Sequence, residues 1–207
     1  MLLSAVVDAV RIELGLDQLS SSSLPTLLDM RSAVARGQIA IAKAVDVNSI
    51  PMLWAETTSL NTDTEGLNKV GAMRLVEAER NGVPCAEVST TQGVLSKRPG
   101  SMYEAGPGSP VIYRSGVNWV VVPSLAPDGA GKDTVQFRAV YVKTPAITTV
   151  TDDVTLDLDE NFHEPLVAFA LGVAYRQLKL SDLMQIADQR FQATLGLSMQ
   201  SEATDAQ

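Results

Sequence analysis

Few side chains in this chain of 207 residues stand where a reaction would need them. His163 is the single histidine, so any Ser–His–Asp or Cys–His couple would have to be built on it. It lies at a predicted helix start, two residues before Pro165, and the further nitrogen or sulfur ligands of a zinc site are missing. Gly131-Lys132 in "APDGAGKDT" invites a phosphate-loop reading. That pattern fails at both ends: Ala126 stands where the first glycine belongs, and Asp133 replaces the hydroxyl that would hold magnesium. A strand-like run follows instead of the helix whose N-terminus would bind phosphate, so the segment reads as a hairpin loop. "TDDVTLDLDEN" offers Asp152, Asp153, Asp157, Asp159 and Glu160. A calcium loop of the EF-hand type would need a central glycine that is absent, and a cation at this cluster stays open. Val154, Leu156 and Leu158 alternate with polar residues, which describes an extended approach to a helix, with carboxylates near its positive end. Cys85 follows Pro84 in a β-like run and reads as a small buried side chain. Sugar chemistry by paired carboxylates would need aromatic platforms, and Trp54, Trp119 and a few Tyr and Phe are all there is. No catalytic, cofactor-binding or metal-ligating set emerges.

The elements that would position these groups fall in a clear order. Leu3, Val6, Val7, Val10 and Leu14 recur at helical spacing up to Gly15. A second helix is predicted over about 25 to 45, with Ser23 as N-cap and Pro25 in its first turn. From "SIPMLWAETTSLNTDTEGLNKV" onward the texture changes to short β-like runs bounded by turn residues. These are Ala72 to Ala78, Cys85 to Ser89, Val111 to Tyr113, Asn118 to Val122 and Thr134 to Val142, with Ser115-Gly116 at a hairpin turn. Helix returns near Phe162, capped by Asp159 or Asn161. A last helix begins at Ser181, carries Leu183, Ile186, Ala187, Phe191 and Leu195 on one face, and is predicted to stop at Gly196. The expected fold is α+β: a four-helix bundle of two N-terminal and two C-terminal helices, with an inserted small antiparallel β region. Its boundaries are 1–48 for the first helical pair, 49–158 for the β-rich insertion, 159–197 for the second pair and 198–207 for a flexible tail.

Composition narrows the function. Hydrophobic residues make up 45% and charged residues 19%, an ordinary globular balance. The net charge is −8, from 24 acidic and 16 basic residues, and no Lys/Arg run is present. A grip on nucleic acid needs a basic footprint to displace counterions, so sequence-specific DNA binding is not expected. One cysteine excludes a disulfide framework within the chain. No stretch reaches the roughly 18 apolar residues of a membrane span, and no signal-peptide pattern opens the chain, so a soluble protein of a reducing compartment is expected. One segment stays unexplained by these rules. From Pro165 to Tyr175, "PLVAFALGVAY" has no charged residue, whereas a surface helix shows an apolar and a polar stripe.

The order of these patterns resembles the head-to-tail adaptor (connector) proteins of tailed bacteriophages, of the kind similar to the podophage tail tubular protein A. "LPTLLDMRSAVARGQIAIAKA" resembles the family's second helix, and "AMRLVEAERN" its first β-region strand. "SPVIYRSGVNWVVVPS" with "TVQFRAVYVKTP" is similar to its Pro-x-x-Tyr hairpin and closing strand, and "DLDENFHEPLVAFALGVAYRQL" and "ADQRFQATLGL" to its last two helices. The likeness covers residues 1 to about 197; the aromatic near residue 99 is displaced to Tyr103, and "NTDTEGLNKVG" is hard to align.

That resemblance implies a structural virion protein at the head-tail junction, not an enzyme, with no cofactor and no membrane. It implies a homo-oligomeric ring of 12 subunits bound to the portal protein and offering a platform to a tail or nozzle protein. DNA would pass through the ring without sequence-specific binding. The apolar helix would then meet a neighbouring subunit, with Phe162, Phe169, Gly172 and Val173 at the interface; the alternative is a helix buried within its own subunit. Phe191, Leu195, Ser198, Met199 and Gln200 would contact the portal. Competing readings are another ring-forming tail component such as a terminator or stopper, an enzyme of unrecognised class, and a protein-binding module that forms no ring.

Overall fold

A computed structural model of the chain describes residues 1–16, 25–58, 66–67, 72–116, 118–123, 136–145 and 154–205. Five α-helices are present: α1 (Leu3–Glu13), α2 (Leu27–Ala44), α3 (Thr90–Ser96), α4 (His163–Gln177) and α5 (Ser181–Asp205). The strands are β1 (Trp54–Thr57), β2 (Gly66–Leu67), β3 (Ala72–Arg80), β4 (Val83–Pro84), β5 (Ala86–Glu87), β6 (Val111–Ser115), β7 (Asn118–Val122) and β8 (Phe137–Lys143). The chain divides into two compact units, one of Met1–Leu53 with Thr144–Gln207, the other of Trp54–Lys143.

In the first unit, helix starts follow local chemistry. Ser23 lies outside the described residues, and α2 is capped by Thr26 instead. Thr26 Oγ1 accepts the Asp29 N–H at 3.1 Å, and Asp29 Oδ2 accepts the Thr26 N–H at 3.0 Å, a reciprocal capping box. These bonds from Thr26 hold the Asp29 carboxyl below the usual carboxylate range. The N-terminus is pinned by backbone: Leu3 N–H donates to Val154 O and Leu156 N–H to Met1 O, both at 2.9 Å. The same stretch docks on α2 through Gln38, 2% exposed, whose Oε1 accepts the Asp157 and Leu158 N–H groups at 3.0 and 3.4 Å.

Helix α4 is the centre of this unit. It packs against α1, α2 and α5, so Leu166, Val167, Ala168, Ala170, Leu171 and Ala174 are all at most 2% exposed. Apolar character on nearly every side is what three helical neighbours require. A Cβ at Gly172 would stand 3.1 Å from Asp188 Oδ1, so this glycine sets the close approach of α4 and α5. The α4–α5 turn is a Schellman closure: Lys179 N–H donates to Arg176 O and Leu180 N–H to Tyr175 O. Its left-handed residue is Lys179, at φ 60°, where glycine is the usual occupant. Lys179→Gly is therefore expected to stabilise the chain by about 0.5–1 kcal/mol; a urea midpoint that fails to rise would show that the lysine side chain has a compensating contact. Helix α5 does not stop at Gly196. A single exposed glycine costs a helix about 1 kcal/mol and does not by itself end it, and the backbone stays helical through the segment expected as a flexible tail to Asp205.

The second unit contains two four-stranded sheets, ordered β1-β8-β3-β4 and β2-β7-β6-β5. The first is antiparallel throughout, and β3 turns into β4 through Asn81-Gly82, both at positive φ (52° and 74°), the backbone of a type I′ hairpin. In the second, β6 and β7 form the predicted hairpin and β5 joins β6 in parallel. Ala78, Phe137 and Ala139 from one sheet meet Ile112, Trp119 and Val121 from the other in a shared core. The alternate residues Tyr113, Val120 and Val122 face outward under Val88 and Ala105. Helix α3 lies on that outer face, starting at a second capping box, Ser89 with Gln92.

The expected four-helix bundle with an inserted small antiparallel β region is thus corrected. The described residues are α+β, with five α-helices and two sheets, 50% helix and 24% strand, and the β part is a two-sheet unit with a helix and a parallel strand pair of its own.

Candidate functional site

The groups that could do chemistry stay apart. His163 opens α4 with Nδ1 3.9 Å from Glu164 Oε1, its own neighbour on the helix. Among the described residues no three His, Cys, Asp or Glu side chains cluster as metal ligands. Asp152 and Asp153 lie outside the described residues, as does the Gly131-Lys132 loop. Asp159 Oδ1 accepts the Asn161 N–H at 3.0 Å, capping the 3₁₀ turn Glu160–Phe162 that leads into α4. Two open grooves of about 250 and 280 Å³ flank the loop between α3 and β6. The first is lined by Val88, Gln92, Met102 and Tyr103 among others, the second by Lys97, Pro99, Val121 and Pro123; they share Ser96, Glu104 and Ala105, and Glu104 is the one carboxylate in either lining among the described residues. No helix among them is long and apolar enough to cross a membrane.

Cys85 packs against the core shared by the two sheets, and desolvation by burial pushes its thiol up to about 11. The nucleophile is the thiolate, so at pH 8 only about one thiol in a thousand is ionised. Labelling by Ellman's reagent at that pH is expected to run at least a hundredfold slower in the folded chain than in urea; equal rates would show the thiol is not in this environment.

Of the residues expected at a subunit interface, Phe162 and Gly172 are buried within the chain, while Phe169 and Val173 keep part of their surface open. Phe162 is fully buried, Gly172 abuts Ala187 and Asp188, and Phe169 meets Phe191 edge-on with ring centroids 5.6 Å apart; Val173 is half-buried. Of the residues expected on the portal, Phe191 belongs to that same seam and Leu195 is 6% exposed. Ser198, Met199 and Gln200 continue the α5 backbone, and their side chains lie outside the described residues. The α4–α5 seam thus gathers members of both sets.

What faces outward is a different group. Leu178, Leu180, Leu183, Ile186 and Leu197 are 38–65% exposed, and Ile12 is 67% exposed. The single apolar face expected for α5 is split: Ala187, Phe191 and Leu195 turn inward, while Leu183 and Ile186 do not, and Leu197, beyond the expected stop, joins them. At 100° per residue the latter three fall within about 60° of one another, a second stripe legible in the spacing. Within the arc of that second stripe Arg190 reaches Glu13 at 2.6 Å and Glu164 at 2.7 Å, tying α5 to α1 and α4. Those bonds, Glu13 first, raise the guanidinium's pKa further.

A family model described as SU10 adaptor protein matches residues 1–207. No curated protein matches the chain.

Proposed function

We infer the role from a premise the whole-chain match supplies: this chain belongs to the SU10 adaptor protein family, a family of phage head-to-tail adaptors. It is therefore a structural adaptor of a phage and a virion component. The match carries the adaptor family and not the narrower likeness to the podophage tail tubular protein A.

The proposed role is a ring of twelve copies at the head-tail junction that links the portal to the tail and extends the DNA channel. Function here is geometry: the ring holds two larger assemblies in register and performs no catalysis. The observation that carries this reading is the family match over residues 1–207. The net charge of −8 supports it, since a channel of acidic walls has no counterion-releasing grip on phosphates and lets DNA slide. The proposed portal contact is the distal part of α5, including Ser198, Met199 and Gln200; further in, Phe191 is engaged on Phe169 of α4 and Leu195 is buried.

Mixing the purified chain with portal rings of the same phage tests this. Native mass spectrometry is expected to show a gain of one copy per portal subunit. No association over a range of salt, with both partners folded, would overturn the adaptor assignment for this chain's binding.

A further inference from the structure

We propose that neighbouring copies in the ring join head to tail through the two ends of α4, the basic corner at its C-terminal end seating on the acidic end of the next copy. The proposal rests on the ring reading above and adds the surfaces.

At one end, Arg176, Leu178, Lys179, Leu180 and Leu183 are exposed around the α4–α5 turn, the three leucines to 38–44%. Two carboxylates also stand at this end, Asp182 at the N-terminus of α5 and Asp29 of α2, to which Gln177 donates, and Arg36 of α2 lies near Asp29. At the other end, Asp159, Glu160, Glu164 and Glu13 gather, with Arg190 bonded to the last two and His163 beside them. Helix α5 passes the 3₁₀ turn Glu160–Phe162, and two turns beyond Arg190 it exposes Leu197 to 65%; Ile12, next to Glu13, is 67% exposed. The fifteen residues of α4 set these ends about 22 Å apart.

Acids at a helix start and bases at its end answer the helix dipole and would arise without any partner. The apolar residues do not. A chain of charge −8 has no electrostatic reason to expose leucines beside two of its few basic residues, nor Leu197 and Ile12 beside its carboxylates. Each end combines an apolar centre with a charged rim, the composition of a protein interface, and the rims are of opposite sign. Two different patches on one subunit make a heterologous contact, which closes into a ring when the rotation between copies allows. Each patch buries apolar surface on the other, and the opposed charges fix the register and disfavour like ends meeting.

The test uses portal rings, the full-length chain and two charge reversals, Arg176→Glu/Lys179→Glu and Glu160→Lys/Glu164→Lys. At half-saturating amounts, contacts between neighbours make filling cooperative. Native mass spectrometry should then show empty and full rings for the unaltered chain. Either variant by itself is expected to give partly filled rings. An equal mixture of the two should restore empty-or-full filling, because reversed ends pair with each other and unreversed ends pair as before; twelve places let the variants alternate. Restoration also shows that both variants fold. Variants that fill rings as the unaltered chain does, or a mixture that restores nothing, would overturn the proposed contact. If the unaltered chain itself never binds portal, the adaptor reading fails first.

Discussion

Replacing Gly93 with alanine is expected to cost the second unit about 3 kcal/mol of stability. A Cβ at that position would stand 2.1 Å from Tyr113 Cδ1, 2.2 Å from Cγ and 2.8 Å from Tyr113 Cβ. Rotating the tyrosine ring does not remove the conflict, because Tyr113 Cβ is itself too near and is fixed by strand β6. Tyr113 is also 4% exposed, so its ring has nowhere to go. The remaining adjustment is for α3 to lift from the sheet, which breaks the Thr90 Oγ1 bond to Arg114 O at 2.9 Å and uncovers Val120 and Val122. Urea unfolding followed by tryptophan fluorescence reads this unit selectively, since Trp54 and Trp119 both belong to it. The midpoint should fall while the slope stays constant. Gly93→Ala made in a Tyr113→Ala background should cost far less, a coupling that marks the two as direct neighbours. A loss below about 0.5 kcal/mol in the unaltered background would mean that α3 is not seated on β6.

Gln38→Leu should rank next, at about 2–3 kcal/mol in the first unit. Leucine matches glutamine roughly in volume but leaves the Asp157 and Leu158 N–H groups without the Oε1 they share. Leu158 is 1% exposed, so water reaches its amide poorly. A cavity of about 40 Å³ lined by Gln38, Leu3, Ala35 and residues 154–157 has room for one water. That water can serve one of the two amides, and the Asp157 amide is only partly buried, which holds the loss at this level. Hydrogen exchange reads the effect locally: the Asp157 and Leu158 amides should exchange at least tenfold faster than in the unaltered chain, while those in β6 and β7 keep their rates. Unchanged exchange at 157 and 158 would show that Gln38 is not what holds this segment to α2.

Much of the helical part was readable before any coordinates, for a physical reason. Leu3, Val6, Val7 and Val10 sit on one face of α1 at the spacing that buries them, α2 is legible from its apolar spacing, and α4 from an uninterrupted apolar run long enough for a helix. The hairpin of β6 and β7 was legible because its two strands are close in sequence and joined by one turn. The two-sheet organisation was not. Strands β2 and β5 are two residues long and carry no period at all, and they exist because the distant partners β7 and β6 hold them. Helix α3 was missed although its capping box, Ser89 to Gln92, is written in the sequence; seven residues with a glycine among them show too little amphipathic pattern to stand out from a β-rich neighbourhood. The site followed the same logic. Burial of Phe162 and Gly172 inside the chain depends on how three helices surround α4, which no local window contains, whereas the outward stripe of Leu183, Ile186 and Leu197 needed only the 100° step to be counted.

The placement of Trp54–Lys143 between the two halves of the helical unit has a consequence for biosynthesis. As the chain leaves the ribosome, α1 and α2 emerge first, and the buried faces they present in the finished protein have no α4 to cover them. The whole intervening stretch is translated next and holds all the strands of both sheets, so it can complete its own core while the helices wait. At 5–20 residues per second, the 118 residues between Ala44 and His163 mean about 6–24 seconds of waiting. During that interval Met30, Val34 and Ile41, which end up fully buried, are open to a chaperone or to another nascent chain. Helices α4 and α5 therefore decide whether α1 and α2 fold or aggregate.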